Sequence, residues 1–323
     1  MSTSQSALAL VADIGGTHIR LAQCRGTTLM AIEKYRCADF SGLPEAIDRY
    51  LRSRSLGSID SACLAVAAPL DSDEIIMTNN EWRFSISAIQ QQFELTRVVV
   101  VNDFEAIACA IPQLPDSDRW QLGGVEADPS GNIAVLGPGT GLGVKHLIAT
   151  GKSWKVLAGE GGHVDFAPVD NNDLALWCFL HDRGQPIAME DILSGRGLVN
   201  IYQCIVARKK GQASFDDPET ILRQGLSRAS SECTEAIYQF MNILGSFAGN
   251  LALNLKTTGG VYLCGGVLAE LKDLIPATAF RERFEGKGRF RFYVQDIPVF
   301  LITAEEPGLL GAAVYFGSTA PTG

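Results

Sequence analysis

Twice along this chain a short apolar run ends in a glycine-rich turn and returns at once as a second apolar run. The first copy is Leu8 to Ala12, then Asp13-Ile14-Gly15-Gly16-Thr17, then Ile19 to Cys24. The second is Ile133 to Leu136, then Gly137-Pro138-Gly139-Thr140-Gly141-Leu142-Gly143, then Val144 to Ile148. Each reads as a strand, a flexible turn and a returning strand. Two such units point to an internal duplication, one copy per lobe, or to two unrelated hairpins.

The rest of the pattern alternates strands with helices, which argues for α/β architecture. Leu43 to Leu51 has helical periodicity, and Ser61 to Ala67 reads as a buried strand closed by Pro69. The consecutive valines Val98 to Val101 predict a buried parallel strand running into Asn102-Asp103, followed by a helix over Phe104 to Ile111. The Asp- and Pro-containing stretch Pro112 to Pro129 is the best lobe boundary. Further on, Thr234 to Leu255 carries one apolar helical face. Gly245 and Gly249 cost that helix propensity and so predict a tight backbone approach. A strand over Val261 to Cys264 leads into Gly265-Gly266, a helix starts near Val267, and a strand over Val299 to Thr303 precedes a helix opened by Pro307.

With 323 residues, 46% of them hydrophobic, the chain can fill one large core or two ordinary ones. The net charge of −9 comes without any basic block, which argues against nucleic acid and anionic membrane as partners. No apolar stretch reaches the roughly 20 residues that span a bilayer, and the N-terminus lacks the basic start of a secretory signal. Eight cysteines occur without a C-x-x-C pair and mostly inside apolar runs. They read as buried thiols of a reducing compartment, neither a disulfide framework nor a zinc site. A cytoplasmic protein is expected.

Glycine-rich turns suggest phosphate. Yet G-x-x-x-x-G-K-[ST] is absent, and G-x-G-x-x-G fails at both Gly137 and Gly139. What remains is two turns that pair glycines with a threonine, whose backbone N–H groups can form an anion nest. A plain hairpin turn is the alternative for each. Asn102-Asp103 lies at the carboxyl end of a strand, where α/β sheets collect ligands. A carboxylate there can accept the proton of an attacking hydroxyl. Equally, Asn102 and Glu105 have the spacing of a helix capping box. Glu160 and His163, in Gly159-Glu160-Gly161-Gly162-His163, offer hydrogen-bonding groups for sugar hydroxyls or simply mark a surface turn. Glu190, read alone, is a solvated carboxylate at a helix start.

Taken together, the pieces Ala12 to Thr17, Asn102-Asp103-Phe104, Gly137 to Gly143, Gly159 to Phe166, Leu193-Ser194-Gly195 and Pro307-Gly308-Leu309-Leu310-Gly311 resemble the bacterial glucokinase family of the actin/hexokinase/Hsp70 superfamily. The related repressor/sugar-kinase group carries a zinc-binding cysteine cluster after its E-x-G-H motif. Val164 to Asp173 holds no cysteine, so the resemblance is to the zinc-free branch.

The resemblance implies an α/β, two-lobed actin-like ATPase (ribonuclease H-like) fold. Residues 1–112 plus 304–323 would form a small α/β lobe and 113–303 a larger α+β lobe, with the active-site cleft between. It implies ATP-dependent phosphorylation of glucose on its 6-hydroxyl, with Asp103 as general base. Asn102, Glu160, His163 and Glu190 would hold the other hydroxyls, with Gly141 nearby. Ala12, Asp13, Ile14, Gly15, Gly16, Thr17, Gly139, Thr140, Gly265 and Gly266 would bind the nucleotide. Asp13 would hold Mg²⁺ through water, no structural zinc is expected, and the protein would be a homodimer. A kinase for a related hexose is the neighbouring alternative. A nucleotide-switch protein should lack the Glu160/His163 pair. A sugar-responsive regulator should carry a DNA-binding module, for which the about 11 residues before the first turn are too few.

Overall fold

The structure, a computed structural model, describes residues 8–53, 59–78, 80–151, 153–184 and 186–319. The chain divides into two compact units, Met1–Leu114 with Ala304–Gly323, and Pro115–Thr303.

In the first unit, strands β1 (Ala9–Ile14), β2 (His18–Arg25), β3 (Thr28–Arg36), β4 (Ser61–Val66) and β7 (Arg97–Asn102) form one sheet in the order β3-β2-β1-β4-β7. Strands β5 (Glu74–Ile76) and β6 (Arg83–Ser85) make a separate pair. The β1-β2-β3 meander is antiparallel, while β4 and β7 run parallel to β1. Strand β1 is covered on both faces, and its period of two sorts its side chains between two cores. Leu10, Ala12 and Ile14 pack with Ile47, Tyr50 and Trp82, whereas Ala9 and Val11 pack with Ala106, Leu309 and Ala312. The first core lies under the helix Leu43–Arg52, whose Leu43, Ala46, Ile47 and Tyr50 recur at helical spacing and are buried. The second is closed by the helices Asp103–Ala110 and Pro307–Ser318. The valine strand differs from expectation. It is parallel, but of its four valines only Val101 is fully buried. The reason is position: β7 is the edge of the sheet, with a neighbour on one side only.

The second unit carries β8 (Arg119–Gly123), β9 (Ile133–Pro138), β10 (Leu142–Thr150), β11 (Ser153–Leu157), β12 (Gly260–Leu263) and β13 (Val299–Ile302), in the order β11-β10-β9-β12-β13-β8. Here too an antiparallel three-strand meander is followed by two parallel strands, and β8 is added antiparallel at the edge. The recurrence of order and sense over five strands is what a duplication produces and what two unrelated hairpins would not.

The long helix spans Ser231–Leu255 and buries its apolar face. A Cβ on Gly245 would stand 2.2 Å from the Phe280 carbonyl oxygen, and one on Gly249 2.3 Å from that of Phe284. The expected close approach is therefore to the helix Phe280–Glu285. All eight cysteines are free thiols. Six are buried as read, but Cys109 is half-buried and Cys178 is exposed, on an outward face of the helix Asn171–His181. Among the described residues no helix is long and apolar enough to cross a membrane.

Candidate active site

The first glycine turn is a tight hairpin. The Gly15 N–H donates to the His18 carbonyl at 3.0 Å, and Ile14 pairs with Ile19 across the strands. Its carbonyls are held from one side. The Asn80 amide lies 3.4 Å from the oxygens of both Gly15 and Gly16, and the Cys37 thiol is 3.5 Å from that of Gly15. Asn80 is fixed in turn by the N–H of buried Trp82, at 2.9 Å. Ala12 and Ile14 are wholly buried, so their part is to shape the strand, while Thr17 is exposed at the turn tip.

Asp13 sits at the end of β1, part-buried, with the Arg20 guanidinium 3.4 Å away. Arg20 also pairs with Glu306 at 2.6 Å, so one cation is shared by two acids. Burial pushes the Asp13 carboxyl above its ordinary value; Arg20 opposes this and Glu306 adds to it. Above it lies the start of the Pro307–Ser318 helix, where a Cβ on Gly308 would be 2.8 Å from the Asp13 carboxylate. One turn later, a Cβ on Gly311 would fall 1.7 Å from the Ala106 carbonyl oxygen. The two glycines of Pro307-Gly308-Leu309-Leu310-Gly311 thus let one helix approach both Asp13 and the helix that begins with Asp103.

Asn102 caps that helix: its side-chain oxygen accepts the N–H groups of Phe104 and Glu105, each at 3.1 Å. Capping is therefore real, and it orients its neighbour. Asp103 is the first helical residue, half-buried, and its carboxylate accepts the Phe104 N–H at 2.8 Å. The positive end of the helix dipole favours an anion at this position.

In the second unit the motif pieces gather around the turn between β9 and β10. Gly139 donates to the Gly141 carbonyl at 2.8 Å, and its own carbonyl accepts the Gly195 N–H at 2.9 Å, which ties Leu193-Ser194-Gly195 to the turn. The Ser194 hydroxyl caps the helix Gly195–Arg208 and donates to the Glu190 carbonyl at 2.7 Å. Glu190 is not a solvated carboxylate. Its Oε2 accepts the Leu142 N–H at 2.8 Å, and a Cβ on Gly141 would lie 2.6 Å from the same oxygen. Gly265, at φ +116°, presses on the Pro138 carbonyl, where a Cβ would come within 2.6 Å. Gly266 beside it, like Gly139 and Thr140 on the turn, is exposed.

The Glu160 loop folds back along β10. Cβ atoms on Gly161 and Gly162 would meet Val144 Cγ1 at 2.8 Å and the Leu142 carbonyl oxygen at 2.2 Å. Glu160 and His163 remain exposed, and the Lys145 ammonium is 3.6 Å from Glu160 Oε1. Within the first unit, then, Asp13 and the Gly15-Gly16-Thr17 turn share a strand and its hairpin. Within the second, Gly139, Thr140, Gly141, Glu160, Glu190 and Gly265 converge. Sequence reasoning missed Asn80, Arg20 and Lys145; for the last two the signal was a lone charge inside an otherwise apolar return strand.

Oxygen ligands suit Mg²⁺, which keeps several waters and takes one or two carboxylates together with substrate phosphates. Among the described residues no group of three or more metal-ligating side chains exists, and Asp13 offers a single part-buried carboxylate. That donor set fits a water-mediated Mg²⁺ on a nucleotide, not an all-protein cage.

The family model for glucokinase matches residues 10–319. The glucokinase of Yersinia pestis (strain Pestoides F) is 43% identical to this chain over 309 residues, 95% of either protein. Among solved structures, a glucokinase from an Antarctic psychrotroph superposes with a TM-score of 0.87 at 34% identity, covering 98% of this chain and 100% of its own. The glucokinase of Balamuthia mandrillaris, solved in complex with glucose, gives 0.77 at 25% identity, covering 98% and 94%. The fold shared with these neighbours is the actin-like ATPase fold. By a match over nearly its whole length, the chain belongs to the glucokinase family.

Proposed function

We propose that this protein transfers the γ-phosphoryl group of ATP to the 6-hydroxyl of D-glucose, giving glucose 6-phosphate and ADP. The observation that carries the reading is the extent of the family match: residues 10–319 include every residue of the set described above. Asp103 takes the proton of the 6-hydroxyl as the oxygen attacks phosphorus in line with the departing ADP oxygen. Its place at a helix N-terminus supports an anionic, oriented carboxylate. Asn102, Glu160, His163 and Glu190 hold the remaining hydroxyls, with the Gly141 backbone beside them.

Ala12, Asp13, Ile14, Gly15, Gly16 and Thr17, together with Gly139, Thr140, Gly265 and Gly266, form the nucleotide-binding set. Mg²⁺, when bound, neutralises phosphate charge, and Asp13 is the residue that would hold it through water. Arg20 and Glu306 then set how much of the Asp13 charge remains for that task. Catalysis of this kind is positioning and charge neutralisation, which suits a site of backbone turns and oriented carboxylates. The protein works as a cytoplasmic homodimer.

A coupled ADP-release assay over a panel of hexoses, with and without a chelator, tests the reading. Glucose should give the highest kcat/KM, and chelation should abolish turnover until Mg²⁺ is restored. ADP release from ATP that glucose does not stimulate would overturn it.

A further inference from the structure

We infer that Lys145 is a positioning residue for glucose: it holds the Glu160 carboxylate in place before the sugar arrives. The inference rests on the reading of Glu160 as a sugar-binding residue.

Three residues of β10 serve the two carboxylates of this face. Leu142 gives its N–H to Glu190, while its carbonyl and Val144 form the floor beneath Gly162 and Gly161. Lys145 comes next along the strand, where the loop begins. Its side chain is buried, 9% exposed, and its ammonium donates to the Gly159 carbonyl at 2.9 Å with Glu160 Oε1 at 3.6 Å. Glu160 itself is 78% exposed, and among the described residues Lys145 is the only side chain that pairs with it.

The two partners are therefore unequal. A lysine anchored in the fold reaches up to a carboxylate that would otherwise sample its rotamers freely. Gly159, at φ +157° with nothing within 4 Å of its Cβ position, offers the loop no restraint of its own. Holding a rotamer-rich side chain in its bound geometry beforehand lowers the ordering cost of binding. A buried ammonium is tolerated only with such partners, which is why a lysine stands in an apolar return strand. Lys145 thus acts on the sugar through Glu160, its own ammonium anchored on the Gly159 carbonyl.

The test is a mutant cycle read as a KM-against-kcat split. Lys145→Met keeps the stem and removes the charge. It should raise the KM for glucose about tenfold while kcat and the KM for ATP stay within about twofold. Lys145→Arg should restore most of the glucose KM. In a Glu160→Gln background, Lys145→Met should add less than about twofold, because its target is gone. An unchanged glucose KM in Lys145→Met, or the same tenfold rise with Glu160 already neutralised, overturns the inference and leaves the kinase reading intact. If Lys145→Met does not fold, Lys145→Gln, which keeps a donor for the Gly159 carbonyl without the charge, is read by the same criteria. A wild-type chain that shows no glucose-stimulated ADP release overturns the kinase reading, and this inference with it.

Discussion

The Glu190 carboxylate accepts the backbone N–H of Leu142 at 2.8 Å, across 48 residues of sequence. The bond places an acidic side chain against a turn whose glycine, Gly141, leaves it the space. Gly141→Ala should therefore push the carboxylate off Leu142, since the added Cβ would stand 2.6 Å from Glu190 Oε2. We expect the KM for glucose to rise about tenfold with the fold retained, as when one oriented charged hydrogen bond is lost. Steady-state kinetics beside a thermal melt check it; an unshifted KM would show that Glu190 does not serve the sugar.

Asp103→Asn should lower kcat by at least about a hundredfold and leave glucose affinity within about tenfold, because a general base acts mainly in the transition state. Calorimetric titration of the inactive variant with glucose provides the second half of the comparison. A variant that retains more than about a tenth of wild-type kcat excludes Asp103 as the base.

Gly311→Ala attacks the same residue from behind. Its Cβ would fall 1.7 Å from the Ala106 carbonyl oxygen, so the helices Asp103–Ala110 and Pro307–Ser318 must separate. Overpacking of this kind costs about 1–3 kcal/mol or more. A lowered melting temperature should come with a lowered kcat, since the helix that moves carries the base. A melt unchanged to within a degree or so would mean the two helices are not in backbone contact.

Alkaline pH should destabilise the first unit through its thiols. Burial pushes Cys63 and Cys109 up to about 12 and Cys24 up to about 11. A thiol whose folded pKa lies above its unfolded value, near 9, stabilises fully below that value. The contribution is then lost as pH rises towards 11–12, because the unfolded chain releases the proton first. Cys63→Ala should flatten the fall in melting temperature between about pH 9 and 11. An identical slope in variant and wild type contradicts the assignment. At pH 8, alkylation should reach exposed Cys178 well before these three.

Much of this was legible in the residues because the signals were local. The paired hairpins, the long helix and the tight approach at Gly245 and Gly249 follow from periodicity and from the cost of glycine in a helix. Glu190 was misread alone because its partner lies on another element, and nothing within a few residues of it names Leu142. The valine run looked buried because composition does not say whether a strand is central or at an edge. Asn80 had no sequence signal at all: it acts through a side-chain amide on carbonyls of a turn more than 60 residues earlier. Lys145 and Arg20 were visible as charges in apolar strands, but their roles needed the loop above one and the second acid beside the other.

The Pro307–Ser318 helix covers β1 and β4 with Leu309, Ala312 and Ala313, so the strand Ala9–Ile14 is finished only by residues made after the whole of the second unit. During synthesis the two units mature in the opposite order to their start. By the time Thr303 has cleared the ribosome, every strand of the second unit is in hand, whereas Val11, Ala65 and Ala106 still await their cover. The nascent chain therefore carries an open apolar face until that helix has been made, and a stop before Pro307 would leave it open. Such a truncated chain is a natural client for chaperones and proteases, even with all the residues of the proposed glucose and nucleotide sites already in place.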